Sequence, residues 1–290
     1  MKLRTLFLSL ALGVTLLSSL LLAGCQEDSS SAAKLKIAVS IVPLKEFTQQ
    51  IAGDKAEVIL MVPPGAEPHT YQPLPSQMVD ISQADMYVKL GSDFGFEQTW
   101  ISKILALNHS MLMVDSSVNI TLESSSEGDG ADPHIWLSPR NAIQMVKNIT
   151  TGLMSLDPEN KSYYVANRDA YLAKLEQLDN EITLALSHLH NRTFLVFHPA
   201  WAYFARDYNL KELSIEIEGK EPTPQQMIEI IDLAIQNNIS IVFASPQFSS
   251  RSAESIASEI GGQVIMIDPL AQDYIKNMEF VYKQMQEVMS

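Results

Sequence analysis

The sequence predicts an α/β protein, two (β/α) lobes with mainly parallel sheets joined by one long rigid helix. Three observations predict it. From Lys36 short β-rich runs alternate with helical patterns, the mark of βαβ units packing helices on a parallel sheet. A second alternation of the same kind begins at Thr193. Between them, from Glu159 to His198, neither Gly nor Pro interrupts a helical apolar pattern.

In the first series the strands are expected at 36–40, 58–62, 86–90 and 111–115, and the helices at 44–52, 76–83 and 97–107. The second has strands at 193–197, 214–217, 240–244 and 263–267, with a helix at 201–208. For the connecting helix, Asp157 is expected as N-cap and Pro158 as first helical residue. Tyr164, Tyr171, Leu175, Leu178, Ile182, Leu186 and Leu189 then recur at three, four or seven residues. A helix over 158–189 would run about 45 Å and limit how far the lobes hinge. The lobes are then 36–157 and 190–290. The Ser-, Gly- and acid-rich stretch Glu123 to Asp132 is expected to be a solvated loop.

Charge decides what the chain does not do: with Lys and Arg at 20 against Asp and Glu at 34, the net charge is −14, and nucleic acid finds no basic footprint. With 46% hydrophobic residues the chain is core-forming. The one cysteine, Cys25, rules out an internal disulfide and a cysteine zinc knuckle. It closes a Leu-rich run that follows Lys2 and Arg4 and ends Leu22-Ala23-Gly24-Cys25. That is the pattern of a lipoprotein signal over 1–24, with small residues before the cut and a thiol that carries the lipid. An uncleaved N-terminal membrane helix is the alternative. After cleavage, 25–35 becomes a short lipidated tether, and the protein is extracytoplasmic and anchored to the cell membrane.

Three of the six histidines follow β-rich or loop segments beside proline or tryptophan: His69 in PGAEPHTYQP, His134 in DPHIWLSP and His198 in FHPAWAYF. Asp268 in VIMIDPL is the fourth candidate, and the intervals of 65, 64 and 70 residues put each about one βαβα unit after the last. In open α/β sheets such loops converge beyond the carboxyl ends of the strands. Three imidazoles and a carboxylate suit tetrahedral Zn²⁺, while Mn²⁺ accepts the same donor types. His109, His188 and His190 have no such context and are expected at the surface.

The segments PGAEPHTYQP, ADPHIWLSP, EGKEPTPQQM and FASPQFSSRSAESIASEIGGQVIMIDPL resemble those of the zinc and manganese solute-binding lipoproteins of ABC importers, the cluster A-I family. The likeness spans essentially the whole mature chain. It implies two (β/α) lobes joined by one long helix, a single divalent ion held between them by His69, His134, His198 and Asp268, and delivery to a membrane permease with its ATPase. No catalysis is implied, and a monomer is expected. Manganese-type members tend to carry Glu at the third position, so His198 resembles the zinc pattern. Many zinc-type members have a His-rich loop before the second ligand; here 123–132 carries Glu123, Glu127, Asp129 and Asp132 and no histidine. Glu67 is a candidate outer ligand or orienter of a histidine. A zinc hydrolase with Glu67 as base is the alternative from another class. Because imidazoles bind metal only when neutral, affinity is expected to fall toward and below pH 6.5.

Overall fold

Parallel strands buried on both faces read as unbroken apolar runs, and Ile37, Ala38 and Val39 in β1 (Leu35–Val39) have no exposed surface. In the computed structural model, which describes residues 34–126, 130–217 and 219–290, β1 pairs on one side with β2 (Ala56–Leu60) and on the other with β3 (Met86–Lys89). β3 in turn pairs with β4 (Leu112–Asp115), giving the all-parallel order β2-β1-β3-β4. The second sheet repeats it. β5 (Thr193–Val196) lies between β6 (Lys211–Ser214) and β7 (Ile241–Ala244), and β8 (Gln263–Met266) flanks β7, in the order β6-β5-β7-β8. The lipoprotein signal, Cys25, the tether up to Ala33, Glu127 and Asp129 lie outside the described residues.

Helices cover both sheets by turning one apolar stripe inward. α1 (Val42–Ala52) buries Leu44, Phe47 and Ile51 at spacings of three and four. α2 (Pro75–Ile81) and α3 (Gly95–Leu107) follow β2 and β3, and α6 (Ala202–Asp207) follows β5. Four helices that sequence patterning did not place complete the cover: α4 (Pro139–Leu156), α7 (Pro224–Gln236), α8 (Arg251–Glu259) and α9 (Tyr274–Met289). Three of their starts are explicit. Ser138 accepts from the Asn141 amide, Thr223 and Gln226 form a reciprocal capping box, and Asp273 accepts from the Lys276 amide.

The connecting helix departs from expectation at its start. Pro158–Asn160 is a single 3₁₀ turn, and the α-helix proper, α5, spans Lys161–Ser187, about 40 Å at 1.5 Å per residue. Asp157 caps no α-helix with its side chain: its Oδ2 accepts from Asn160 Nδ2 at 2.7 Å and the Tyr164 hydroxyl at 2.7 Å, which tightens the turn. Nor is α5 a bare strut. It packs against α4, α1 and α9, so its buried Tyr164, Tyr171, Leu175, Leu178 and Ile182 belong to one apolar core that runs from the first sheet into the second. A smaller cluster around Ile215, Val242 and Ile256 fills the outer face of the second sheet.

β6 also shifts, from the expected 214–217 to Lys211–Ser214. The apolar Ile215 and Ile217 draw a sequence pattern, but this edge strand tolerates the charged Lys211 and Glu212. The chain bends after Ser214 while the Ile215 and Glu216 amides still bond the Val196 and Phe197 carbonyls at 2.9 Å each. That bend carries Glu216 inward.

One buried carboxylate braces the first half. Glu97, in the first turn of α3, takes the Leu90 amide at 2.6 Å and the Gly91 amide at 3.1 Å and binds the Ser40 hydroxyl at the end of β1. Gly91, at φ 79°, occupies a backbone region that favours glycine. Burial pushes the Glu97 carboxyl up to about 7. Since this exceeds its ordinary 4.5, the group's contribution to stability is fully present below 4.5 and is lost as pH rises through about 7. Glu97→Ala strands three donors and is expected to lower the unfolding free energy by about 3 kcal/mol, read from denaturant melts.

Candidate metal centre

The two sheets aim the carboxyl ends of their strands at one crevice, and each half reverses its strand order between its two inner strands, β1 and β3 or β5 and β7, where loops diverge and leave room. His69 comes from the loop after β2, His134 from the loop after β4 and His198 from the residues just after β5. One ligand atom from each of these three side chains lies within 4.8 Å of the others. The ring centroids are 5.7 Å apart for His69 and His134, 5.7 Å for His69 and His198, and 5.1 Å for His134 and His198. His134 and His198 are buried, and His69 is partly so.

Each histidine is held by its own device. The Glu67 carboxylate accepts the backbone amides of His69 at 2.7 Å and Thr70 at 2.8 Å and binds the Thr70 hydroxyl, closing the turn that presents His69. Glu67 thus orients the histidine through its backbone and not through its ring. Behind the turn stands Gly95 at the start of α3, where an added Cβ would come within 3.6 Å of the His69 carbonyl oxygen. The brace at Glu97 therefore supports the wall against which His69 rests.

Sequence patterning missed the two carboxylates that hold the other rings. Asp132 Oδ1 takes the His134 amide at 2.7 Å and lies 3.1 Å from His134 Nδ1; the residue is only 3% exposed, so this end of the 123–132 segment is not solvated. Glu216 Oε2 lies 2.6 Å from His198 Nδ1. A carboxylate at Nδ1 keeps the proton there and turns Nε2 into an acceptor. His134 Nε2 and His198 Nε2 face one another at 3.3 Å. Two nitrogens bound tetrahedrally to zinc at about 2.05 Å are separated by about 3.3 Å, so the pair already has the spacing of two zinc ligands. The signal for Asp132 was its place two residues before a ligand histidine. For Glu216 it was an acid inside an apolar strand end, Ile215-Glu216-Ile217.

The site's electrostatics favour neutral imidazole at His69. Burial, then the proximity of His134 and His198, lowers its pKa from 6.5 to about 4. Phe248 stacks on the His198 ring at 4.5 Å, and Trp136 packs on His134 at 5.3 Å. Asp268 does not join the cluster: its Oδ1 accepts from Gln247 Nε2 at 2.7 Å and the Leu270 amide at 2.9 Å, while its neighbours Pro269 and Leu270 line the same cavity. That cavity has about 10 Å³ of free space, the room of one water-sized sphere, and suits an ion rather than an organic molecule. Roomier clefts of about 410 and 430 Å³ lie against α1 and β4 and touch none of the three histidines. His109, His188 and His190 are exposed, as expected.

The halves are bonded together around the site. Trp136 Nε1 donates to the Pro269 carbonyl at 2.7 Å, the Tyr274 hydroxyl to the Trp136 carbonyl at 2.8 Å, and the Tyr203 hydroxyl to the Asp132 carbonyl at 2.8 Å. Glu46 on α1 accepts the Tyr274 amide at 2.7 Å and the Tyr171 hydroxyl at 2.9 Å.

Comparison with known proteins places this architecture. Residues 37–288 match the family model described as zinc-uptake complex component A, periplasmic. The high-affinity zinc uptake system protein ZnuA of Bacillus subtilis is 31% identical over 275 residues, covering 87% of this chain and 85% of that protein. A manganese-binding lipoprotein, MntA, of Halalkalibacterium halodurans is 29% identical over 256 residues, covering 86% of this chain and 84% of that one. The chain spans about half the length, 54%, of a zinc-binding lipoprotein of Streptococcus pneumoniae that it also matches. A crystal structure of ZnuA superposes with a TM-score of 0.85 at 43% identity, covering 89% of this chain and all of that one. With a family model matched over nearly all the described residues and the same fold in a solved member, the chain belongs to the ZnuA family of extracytoplasmic metal-binding proteins that serve ABC importers.

Proposed function

We propose that this chain captures a divalent cation, zinc before manganese, between its two halves and hands it to the permease of an ATP-driven importer. In this reading His69, His134 and His198 supply three nitrogens, and Asp268 turns its carboxylate onto the ion as fourth ligand. The convergence of three imidazole donors within 4.8 Å of one another carries the proposal. Three nitrogens exceed what Mg²⁺ or Ca²⁺ prefers, and the set holds no sulfur for Cu(I). Zinc is favoured over manganese by the nitrogen-rich donors and by the tetrahedral spacing of His134 and His198.

The role is binding and not catalysis. Four protein ligands would leave no position for an activated water, and both Glu67 oxygens are engaged in the turn at His69 and Thr70, not positioned as a base. We also infer that Cys25 carries the lipid that ties the protein to the membrane, with 25–35 as the tether. The protein acts as a monomer in this reading.

Titration of the mature protein with Zn²⁺ is expected to show one tight site. His69→Ala should weaken it by more than the roughly 10- to 100-fold that loss of an orienting partner costs. A chain that takes up no stoichiometric ion, or a His69→Ala variant that binds like wild type, would overturn the proposal. Glu216→Gln and Asp132→Asn should each weaken zinc by about 10- to 100-fold, with the fold retained by circular dichroism.

Protons compete for His69 at lower pH than the sequence alone suggested, because burial moves its titration from 6.5 to about 4. The unfolded chain binds more protons there, so the ion-free protein should gain stability as pH rises from about 4 to 6.5. Denaturant melts across that range should show this gain, and His69→Gln should reduce it.

A further inference from the structure

We propose that Gln247 sets the metal preference of the site by restricting Asp268 to a single coordinating oxygen; this rests on Asp268 being the fourth ligand. The carboxylate has two oxygens, and one is already spent. Asp268 Oδ1 takes Gln247 Nε2 at 2.7 Å and the Leu270 amide at 2.9 Å, while the Asp268 carbonyl takes Asn277 Nδ2 at 2.7 Å and fixes the backbone. Oδ2 alone remains for an ion. A one-oxygen carboxylate with three imidazoles is a four-coordinate set, the number zinc favours. Manganese favours octahedral, oxygen-rich surroundings, which a carboxylate giving both oxygens would approach more closely.

The Gln247 amide can act only one way round. Its Oε1 is buried with no hydrogen-bond partner among the described residues, and reversing the amide would set that oxygen against Asp268 Oδ1. The next residue in the loop after β7, Phe248, stacks on the His198 ring at 4.5 Å. The same short segment therefore stacks on one ligand ring and bonds one oxygen of the Asp268 carboxylate.

The test compares wild type, Gln247→Leu and Gln247→Ala, each as the full mature chain, for Zn²⁺ and Mn²⁺ affinity by chelator competition and for the visible absorption of bound Co²⁺. Both substitutions should weaken zinc about tenfold without weakening manganese, so that the zinc-to-manganese ratio falls about tenfold. The Co²⁺ band should lose intensity as the coordination number rises. In an Asp268→Asn background the Gln247 substitutions should no longer move the ratio, because Gln247 acts through that carboxylate. Melting of the ion-free variants identifies any that fail to fold, and the alanine variant then serves in place of the leucine one. An unchanged ratio and Co²⁺ band, or an effect that persists with Asp268→Asn, would overturn the role of Gln247 while leaving zinc capture intact. A wild-type chain with no stoichiometric zinc site would instead remove the reading on which it rests.

Discussion

Three imidazole rings packed edge to edge under cover can coexist only if their nitrogens are not all competing for protons. That constraint governs the rest of the molecule. Burial deprives a positive charge there of water and the neighbouring rings repel it, which outweighs the nearby carboxylates of Glu67 and Asp132, and so His69 resists protonation. Asp132 Oδ1 and Glu216 Oε2 stand at the Nδ1 atoms of His134 and His198, and the Nε2 atoms of the two rings face one another. What is left at the centre is a set of ring nitrogens within 4.8 Å of one another, donors of the kind a small cation takes.

Meeting that constraint takes contributions from both halves of the chain, and the topology explains how they arrive together. Each sheet starts from an inner strand and reverses its strand order beside it, so the loops at the carboxyl ends open a gap instead of closing over one another. Turns and caps then set the final aim: a carboxylate bound to backbone amides at His69, an edge strand that bends at Ile215, and a loop whose aromatic residue lies flat on His198. The short cross-bonds from Trp136, Tyr203 and Tyr274 fix the separation of the halves to hydrogen-bonding accuracy. A site of ångström dimensions needs that accuracy.

Much of this was legible in the residues. The alternation of strands and helices, the parallel class and the long helix follow from local periodicity, and His69, His134 and His198 each announce themselves after a β-rich or loop segment beside proline or tryptophan. Asp132 and Glu216 did not. A carboxylate's burial is a tertiary property, and an aspartate in an acidic, serine-rich stretch has the local look of a solvated one. The same holds for Glu97, an acid near a helix start whose three donors come from residues up to 57 positions away. Asp157-Pro158 misled for a different reason: the dipeptide is a sound helix start, but the aspartate turns to Asn160 and Tyr164 and the first turn tightens. Gln247 lies in one of the segments that carry the resemblance, but local patterning gives it no role, since it acts on an oxygen of a residue 21 positions later.

The shared apolar core has a further consequence. Because α5 lays its buried face against helices from both ends of the chain, the two sheets are not separable modules fastened by a rod. Severed at the connection, neither piece could keep its inner surface dry, and each would be drawn to rejoin the other or to clump. The body that bears the crevice loops therefore has to be inherited in one uncut length.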